Sequence, residues 1–424
     1  MTAPPTLLSD HHSSPPPTLS RGTGVPEEYA ARGLRVELIN DLAELAHHAD
    51  AWDELALTAP QRLPMLSHAW IASWLEHEVL PHKRWWCALA YEGERLVGVL
   101  PVVVSPHRMF GLRWPLLRTS RSNSRAGDVL MVSGRESAIL PALLAALERA
   151  VPGCLGVELW GVRDNSPTLA AIARGLPGRV VVRTLHSAGS YIDTTVSHDE
   201  FFKSLGASHR KHLRSATNRL DKLPAVVTQT LADEATAEMH LQRFLALEAA
   251  GWKGQHGTAI ASSPIQTAFY RALVRRLAVR GWLEWHFLEA AGRPIAGDLV
   301  IRFGRALVFP KGAYDEEFAK YSPSHVLFAR GVDRAFMSGD IVEMNQLTSF
   351  AWMHPWRMRQ SQYYNLWLYP CRPIPMLLGY LPRQAELLLR RVLRSLLAHV
   401  GGRHVESRSE ARRAPSALRR LTRR

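Results

Sequence analysis

"AGRPIAGDLVIR", residues 291–302, aligns without gaps to "EGERLVGVLPVV", residues 92–103, at an offset of 199, setting Gly93 against Gly292, Gly98 against Gly297 and Leu100 against Leu299. Each reads as a tight glycine turn followed by a half-buried strand. Helical patterns precede both copies, over 44–58 and 67–78 in the first case and 234–250 and 264–280 in the second, and further strand and helix follow. A duplicated unit of this composition implies an α/β (α+β) chain of two similar domains, 35–190 and 191–370, each a mixed sheet flanked by helices.

The bulk composition agrees with two cores. A chain of 424 residues, 46% hydrophobic and with 13 tryptophans, is too long for one ordinary core and too apolar to be disordered. Its formal charge of +14 resembles a nucleic-acid signal until it is located. Residues 383–424 hold twelve Arg and three Glu, a net +9, which leaves +5 for the preceding 382 residues and argues against a DNA-binding body. The three cysteines, Cys87, Cys154 and Cys371, form no zinc or redox spacing and point to a reducing, cytoplasmic setting. Residues 1–34, Pro- and Ser-rich, read as a disordered leader. No apolar run reaches the roughly 18–20 residues needed to cross a bilayer.

Several familiar sites are absent from the sequence: no phosphate loop, no G-x-G-x-x-G, no G-x-S-x-G elbow and no H-E-x-x-H. His209 and His212 stand at i, i+3 in "HDEFFKSLGASHRKHLRSATNRLDKL", residues 198–223, but the surrounding cations disfavour a divalent metal, and none is expected. Phe201, Leu205, Leu213 and Leu220 suggest one apolar side of this helical stretch. Its Lys203, Arg210, Lys211, Arg214 and Arg219 make either a solvated face or an anion-binding one.

Chemistry concentrates in the second half. Glu248 falls on the last turn of a helix ended by Gly251, and Trp252 and Lys253 open the loop beyond. A meander follows over 282–289, 294–303 and 306–314, with Asp298 interrupting the apolar middle strand. Pro310 and Gly312 suit a bulge or splayed edge, so the ladder should open near Lys311. Ser322 and Pro323 then occupy the N-cap and first position of a new helix, whose unpaired backbone amides suit a phosphate group.

At these residues the chain resembles the GNAT superfamily, specifically the CelD-type (cellulose-biosynthesis-associated, BioF2-like) acyltransferases, themselves similar to Fem-type peptidyltransferases with two tandem GNAT domains. The anchors are "LGASHRKHLRSATNRL", "GWKGQHGTAI", "GRPIAGDLVI", "KGAYDEEFAKYSPSHVLF" and "FAWMHPWRMRQSQYYNLWLY", joined in the first half by "WDEL", "LPMLSHAWIASWL" and the hairpin. The resemblance implies transfer of an acyl group from acetyl-CoA or acyl-CoA to an amine, such as a sugar amine, in exopolysaccharide or envelope synthesis. Glu248 or Asp298 would be the base and Tyr314 the acid. Lys311, Ser322, Ser324 and His325 would hold the donor, and Trp252, Lys253, Asp315, Arg210 and Arg214 the acceptor. One departure bears on the donor: the family's Gln/Arg-x-x-Gly-x-Gly/Ala loop is replaced by "KYSPSH". A Fem-like transferase using aminoacyl-tRNA and a non-catalytic scaffold are the alternatives.

The remainder, 371–424, reads as a basic amphipathic helix and tail. Over 383–400, Leu389, Val392, Leu393, Leu396 and Val400 share one helical side, with Arg383, Arg390, Arg391 and Arg394 largely around the other. Such a helix either docks on the body or attaches peripherally to an anionic membrane, where each basic residue adds about 1 kcal/mol.

Overall fold

A computed structural model describes residues 33–79, 83–109, 111–121 and 126–393. The expected leader lies outside the described residues up to residue 32, and β1 already begins at Leu34. The tail beyond residue 393 also lies outside them.

The first half supplies β1 (Leu34–Ile39), β2 (Trp85–Glu92), β3 (Arg95–Met109), β4 (Leu112–Arg118), β5 (Leu130–Met131), β6 (Val157–Arg163) and β7 (Arg179–Asp193). The second supplies β8 (Val227–Leu231), β9 (Leu283–Ala290), β10 (Arg293–Phe303), β11 (Ala306–Tyr314), β12 (Glu343–Asn345) and β13 (Arg359–Pro370). They form one continuous sheet in the order β1-β2-β3-β4-β6-β13-β7-β12-β11-β10-β9-β8, with β5 beside β3.

That order is nearly a palindrome. An antiparallel meander, β1 to β4, meets β6 in parallel, and the mirror-related meander, β8 to β11, meets β12 in parallel. The last strand of each half then crosses over: β13 pairs with β6 of the first half, and β7 pairs with β12 of the second. The two exchanged strands pair with each other along Arg359↔Tyr191 to Pro370↔Arg179, so the halves share a seam.

The repeat read from the sequence is the pair of β2–β3 and β9–β10 hairpins. Gly93 and Gly292 sit at their turns with φ of 59° and 76°, where a side chain would be strained. Both hairpins also bulge shortly after the turn, at Ala90/Tyr91 opposite Leu96 and Gly98, and at Pro294/Ala296.

Helices cover both faces. α1 (Ala49–Thr58), α2 (His68–His77), α3 (Glu136–Ala150), α4 (Ala207–Leu220), α5 (Ala237–Ala250), α6 (Pro264–Val279) and α7 (Pro323–Ser338) are the longer ones. Local chemistry starts them: Ser67 Oγ accepts from Trp70 N at 3.3 Å ahead of α2, and Ser263 Oγ accepts from Gln266 N at 3.4 Å ahead of α6. These two helices meet across the seam, with Trp70 edge-on to Phe269 at 5.6 Å, and a single core on this side runs through both halves. The stretch 198–223 is two helices broken near Leu205 and Gly206, with Phe201, Leu205, Leu213 and Leu220 buried.

Arg163 of β6 fastens the seam. Its guanidinium is buried, 2.9 Å from Glu343 of β12, and donates to Gln61 O at 2.8 Å and Ser361 Oγ of β13 at 2.9 Å.

Candidate functional site

β11 pairs with β12 only at Ala306↔Glu343, Leu307↔Met344 and Val308↔Asn345, yet stays on β10 as far as Tyr314. From Phe309 onward its outer edge meets no strand among the described residues. The opening therefore begins two residues before Lys311, where the sequence placed it. β12 is only three residues long and ends at Asn345, so no strand covers this stretch of β11 among the described residues, and Lys253 Nζ takes Gly312 O there at 2.9 Å. Among the described residues the first half shows no such opening. There Gly127 N donates to Trp160 O at 2.5 Å and Trp160 N to Thr119 Oγ1 at 3.0 Å, so the chain itself fills the gap beside β4.

A bulge opposite Leu299 and Ile301 decides which side chains gather at the wedge. Beyond it, Asp298 faces Gly312 and Ala296 faces Tyr314, which puts Asp298 and Tyr314 on the α7 side of the sheet. Tyr314 packs there against the cluster of Ala216, Leu220, Val326 and Leu327. Lys311, paired with Leu299, points the other way, its ammonium 5.3 Å from the Tyr270 ring centre on α6. Lys311 is thus not brought to the helix entrance with Ser322, Ser324 and His325, because the bulge reverses its parity.

Asp298 keeps partial solvent access but is closely surrounded by protein, and burial pushes its carboxyl up to about 7, with the Lys253 ammonium opposing. Lys253 reaches in from the far side, donating to Glu248 Oε1 at 2.8 Å and to Gly312 O at 2.9 Å. Glu248 is almost wholly buried, and its other oxygen accepts from Ile260 N at 2.8 Å. Both oxygens of Glu248 are committed to holding the loop and Lys253, whereas no hydrogen bond to the Asp298 carboxylate is recorded among the described residues. Of the two carboxylates, Asp298 is therefore the one whose oxygens are not already engaged by hydrogen bonds.

α7 enters at the mouth of the wedge. Pro323 is its first residue, but Ser322, at the N-cap, is left-handed with φ 54°, and its side chain makes no capping bond. Behind this end, His325 lies 5.8 Å from His212 and 6.3 Å from His209, ring centre to centre, with Trp352 at 5.6 Å. Trp356 closes the cluster, 4.8 Å from both His209 and Phe328. His325 Nδ1 and His209 Nε2 are buried without a hydrogen-bond partner among the described residues. Burial, then His212 and His209, lowers the His325 pKa to about 4, leaving it neutral near neutrality. Two unpaired imidazoles at a helix N-terminus suit an anionic group. Among the described residues, no group of three or more His, Cys, Asp or Glu side chains could hold a metal ion.

Other expected residues are engaged elsewhere. Asp315 is buried, pairs with Arg293, and caps the next turn by accepting from Glu317 N at 3.0 Å. Arg210 donates to the carbonyls of Lys203, at 3.2 Å, and Leu205, ending the short helix before α4. These contacts engage Asp315 and Arg210 in fastening local structure. Arg214 is exposed on α4, and Trp252 is 47% exposed at the start of a short helix, Trp252–Gln255, where the sequence suggested a loop. Sequence reasoning assigned no role to Trp352 and Trp356; the "AWMHPW" cluster of aromatics was the signal available. It also missed a buried network under α7, where Glu284 accepts from His286 Nε2 at 2.9 Å and pairs with Arg334. Burial would raise the Glu284 carboxyl, but the His286 and Arg334 hydrogen bonds outweigh it and hold the pKa at about 2.

A strand that parts from its parallel neighbour opposite a helix N-terminus, next to a carboxylate in a buried setting, is the geometry against which known families can be compared. Residues 207–344 match the acetyltransferase (GNAT) domain family. The matched GNAT span runs from α4 to β12 and contains Glu248, Asp298, Lys311, Tyr314 and Ser322 to His325. No curated protein matches the chain. Among solved structures, one described as FemX aligns over 80% of this chain and 99% of its own at TM-score 0.54 and 11% identity, a likeness of fold. The C-terminal DUF2156 domain of a putative lysylphosphatidylglycerol synthetase from Agrobacterium fabrum covers 76% of this chain and 92% of its own at TM-score 0.48 and 9% identity. A tandem GNAT protein from the clavulanic acid biosynthesis pathway covers 80% and 99% at TM-score 0.43 and 14% identity. With the internal repeat, the GNAT match describes the fold as two tandem GNAT-like halves in one sheet.

Proposed function

We propose that the second half is an N-acyltransferase that takes an acyl thioester, of the acetyl-CoA or acyl-CoA kind, and passes the acyl group to an amine. The observation that carries this reading is the wedge beyond Val308, with Asp298 on its α7 side and the start of α7 at its mouth. An extended donor would lie along the unpaired edge of β11, its phosphates toward the α7 N-terminus, His325 and His209. Asp298 takes one proton from the acceptor ammonium, which frees the nitrogen lone pair to form the new C–N bond, and the second nitrogen proton passes to solvent as the tetrahedral adduct collapses. The C–S bond breaks, and the thiolate leaves with a proton from Tyr314 or solvent. Backbone amides of the open β11 stretch would face the developing oxyanion. Glu248 acts by holding Lys253 against Gly312 O, which fixes the rim of the wedge.

The acceptor stays open among sugar amines, lysine side chains and polyamines; the CelD-type resemblance supports an amino sugar. The test is thiol release from acetyl-CoA and longer acyl-CoAs against those three amine classes, with Asp298→Asn as control. Amine-dependent release lost in the variant is expected. No release from any pairing would reject the reading.

A second reading, transfer from aminoacyl-tRNA, is favoured by exposed Lys211 and Arg214 on α4 and by the Fem-type resemblance of the sequence. It predicts acyl transfer from a charged tRNA that ribonuclease abolishes and no thiol release.

A further inference from the structure

The chain continues past β13 into a helix over 381–393 that the proposed chemistry does not use. Its attachment to the body is narrow. Tyr380 and Leu387 pack on Val182, Trp367 and Tyr369, and the Arg383 guanidinium stands 4.4 Å from the Trp367 ring centre. Beside these contacts a cavity of about 240 Å³ remains between the helix and the sheet, lined by His107, Leu116, Tyr369, Pro382 and Glu386 among others. At about 100° per residue, Arg383 and Leu387 lie close together on the helix, and the opposite side carries Leu381, Leu388, Leu389, Val392 and Leu393. Those five are 49–59% exposed. The helix therefore docks through its poorer apolar side and turns its richer one outward.

Charge says what would cover that side. Arg390 and Arg391 flank the aliphatic row, and residues 394–424 add nine Arg against two Glu, a net +7. A second copy would bring the same cations against these, and a nucleic acid would leave the leucines in water. An anionic lipid surface satisfies both, taking the aliphatic row into its acyl boundary and the arginines at its headgroups. Among the described residues no helix is long and apolar enough to cross a membrane, so the contact lies in the plane of the interface. We propose that the outward face of the 381–393 helix is a docking surface for an anionic bilayer.

The test uses the full chain with vesicles of phosphatidylcholine alone and of phosphatidylcholine mixed with phosphatidylglycerol. Wild type is expected to sediment with the mixed vesicles and not with the neutral ones, and to be released by salt. The variant Leu388→Gln, Leu389→Gln, Val392→Gln and Leu393→Gln keeps helix-compatible side chains at exposed positions and should bind at least about tenfold more weakly. Arg391→Glu, which leaves the leucines untouched, should weaken binding at least about fivefold and guards against a folding defect in the first variant. Equal sedimentation of wild type and both variants overturns the proposal, as does equal binding to neutral vesicles. Light scattering that shows a wild-type dimer abolished by the Gln variant would assign the face to self-association and overturn it too.

Discussion

Asp298 and Gly312 face each other in direct register across β10 and β11, and a Cβ on residue 312 would stand 2.5 Å from Asp298 Oδ1. The close approach of that carboxylate, not a left-handed backbone, is what favours glycine here. Gly312→Ala should therefore swing the Asp298 carboxylate aside, at a stability cost of about 0.5–1.5 kcal/mol, and reduce turnover, measured by thermal unfolding and by thiol release. Wild-type turnover in this variant would show that Asp298 needs no fixed position.

Titration of Asp298 gives the second expectation. With its pKa raised to about 7, the carboxylate form needed to accept a proton grows as pH rises through that value, so kcat/KM should climb with an apparent pKa of about 7. Asp298→Asn should abolish the limb. Stability moves oppositely: a carboxyl raised in the folded state favours folding while protonated, and that contribution is lost as pH rises toward about 7. The Asn variant should lack this decline in denaturant titrations.

His325 makes a complementary case. Its pKa is lowered to about 4, so the unfolded chain binds the proton more readily, and stability should fall as pH drops from about 6.5 toward 4. An anion bound at the α7 entrance would raise the pKa again. Donor binding should then take up protons, read by calorimetry in buffers of different ionisation enthalpy, and tighten toward acid pH. His325→Gln should remove both effects.

Ser322 occupies a capping position without capping. Because its hydroxyl makes no bond to the first turn, Ser322→Ala should cost well under the roughly 1 kcal/mol usual for a lost cap. Its φ of 54° favours glycine, so Ser322→Gly should stabilise by up to about 1 kcal/mol in chemical denaturation.

Arg163 and Glu343 form a buried pair across the exchanged strands. Arg163→Met should destabilise by less than the roughly 3–5 kcal/mol of a wholly stranded charge, since the buried Glu343 carboxylate keeps Asn345 Nδ2 at 2.7 Å and Arg62 at 3.5 Å. Adding Glu343→Gln should restore part of the loss; no recovery would mean that the bonds to Gln61 and Ser361 dominate.

The duplication was legible because two glycine turns carry it, at Gly93 and Gly292, and turn glycines are local signals. Asp298 was visible as a charge within an apolar strand. Other features depend on relations that no window of sequence contains. Nothing local in β7 or β13 says that each pairs with the opposite half. One extra residue near Pro310 turned Lys311 away from the helix entrance, an outcome set by register and not by residue type. His209 meets Trp356 across some 150 residues of chain, roughly a domain's length. In the 381–393 helix the amphipathic pattern was evident, but which side faced the body was decided by Trp367 and Tyr369, on a distant strand.

The crossing of β7 and β13 also constrains how this protein can be made. On the ribosome, β6 acquires its second neighbour only when β13 emerges, and the roughly 200 residues between the ends of those strands take about 10–40 s to synthesise. Throughout that interval the nascent N-terminal half exposes an unpaired strand edge, the kind of surface on which chains aggregate. A message truncated anywhere before residue 359 would leave the edge open permanently, so the first half is not a unit that translation can deliver alone.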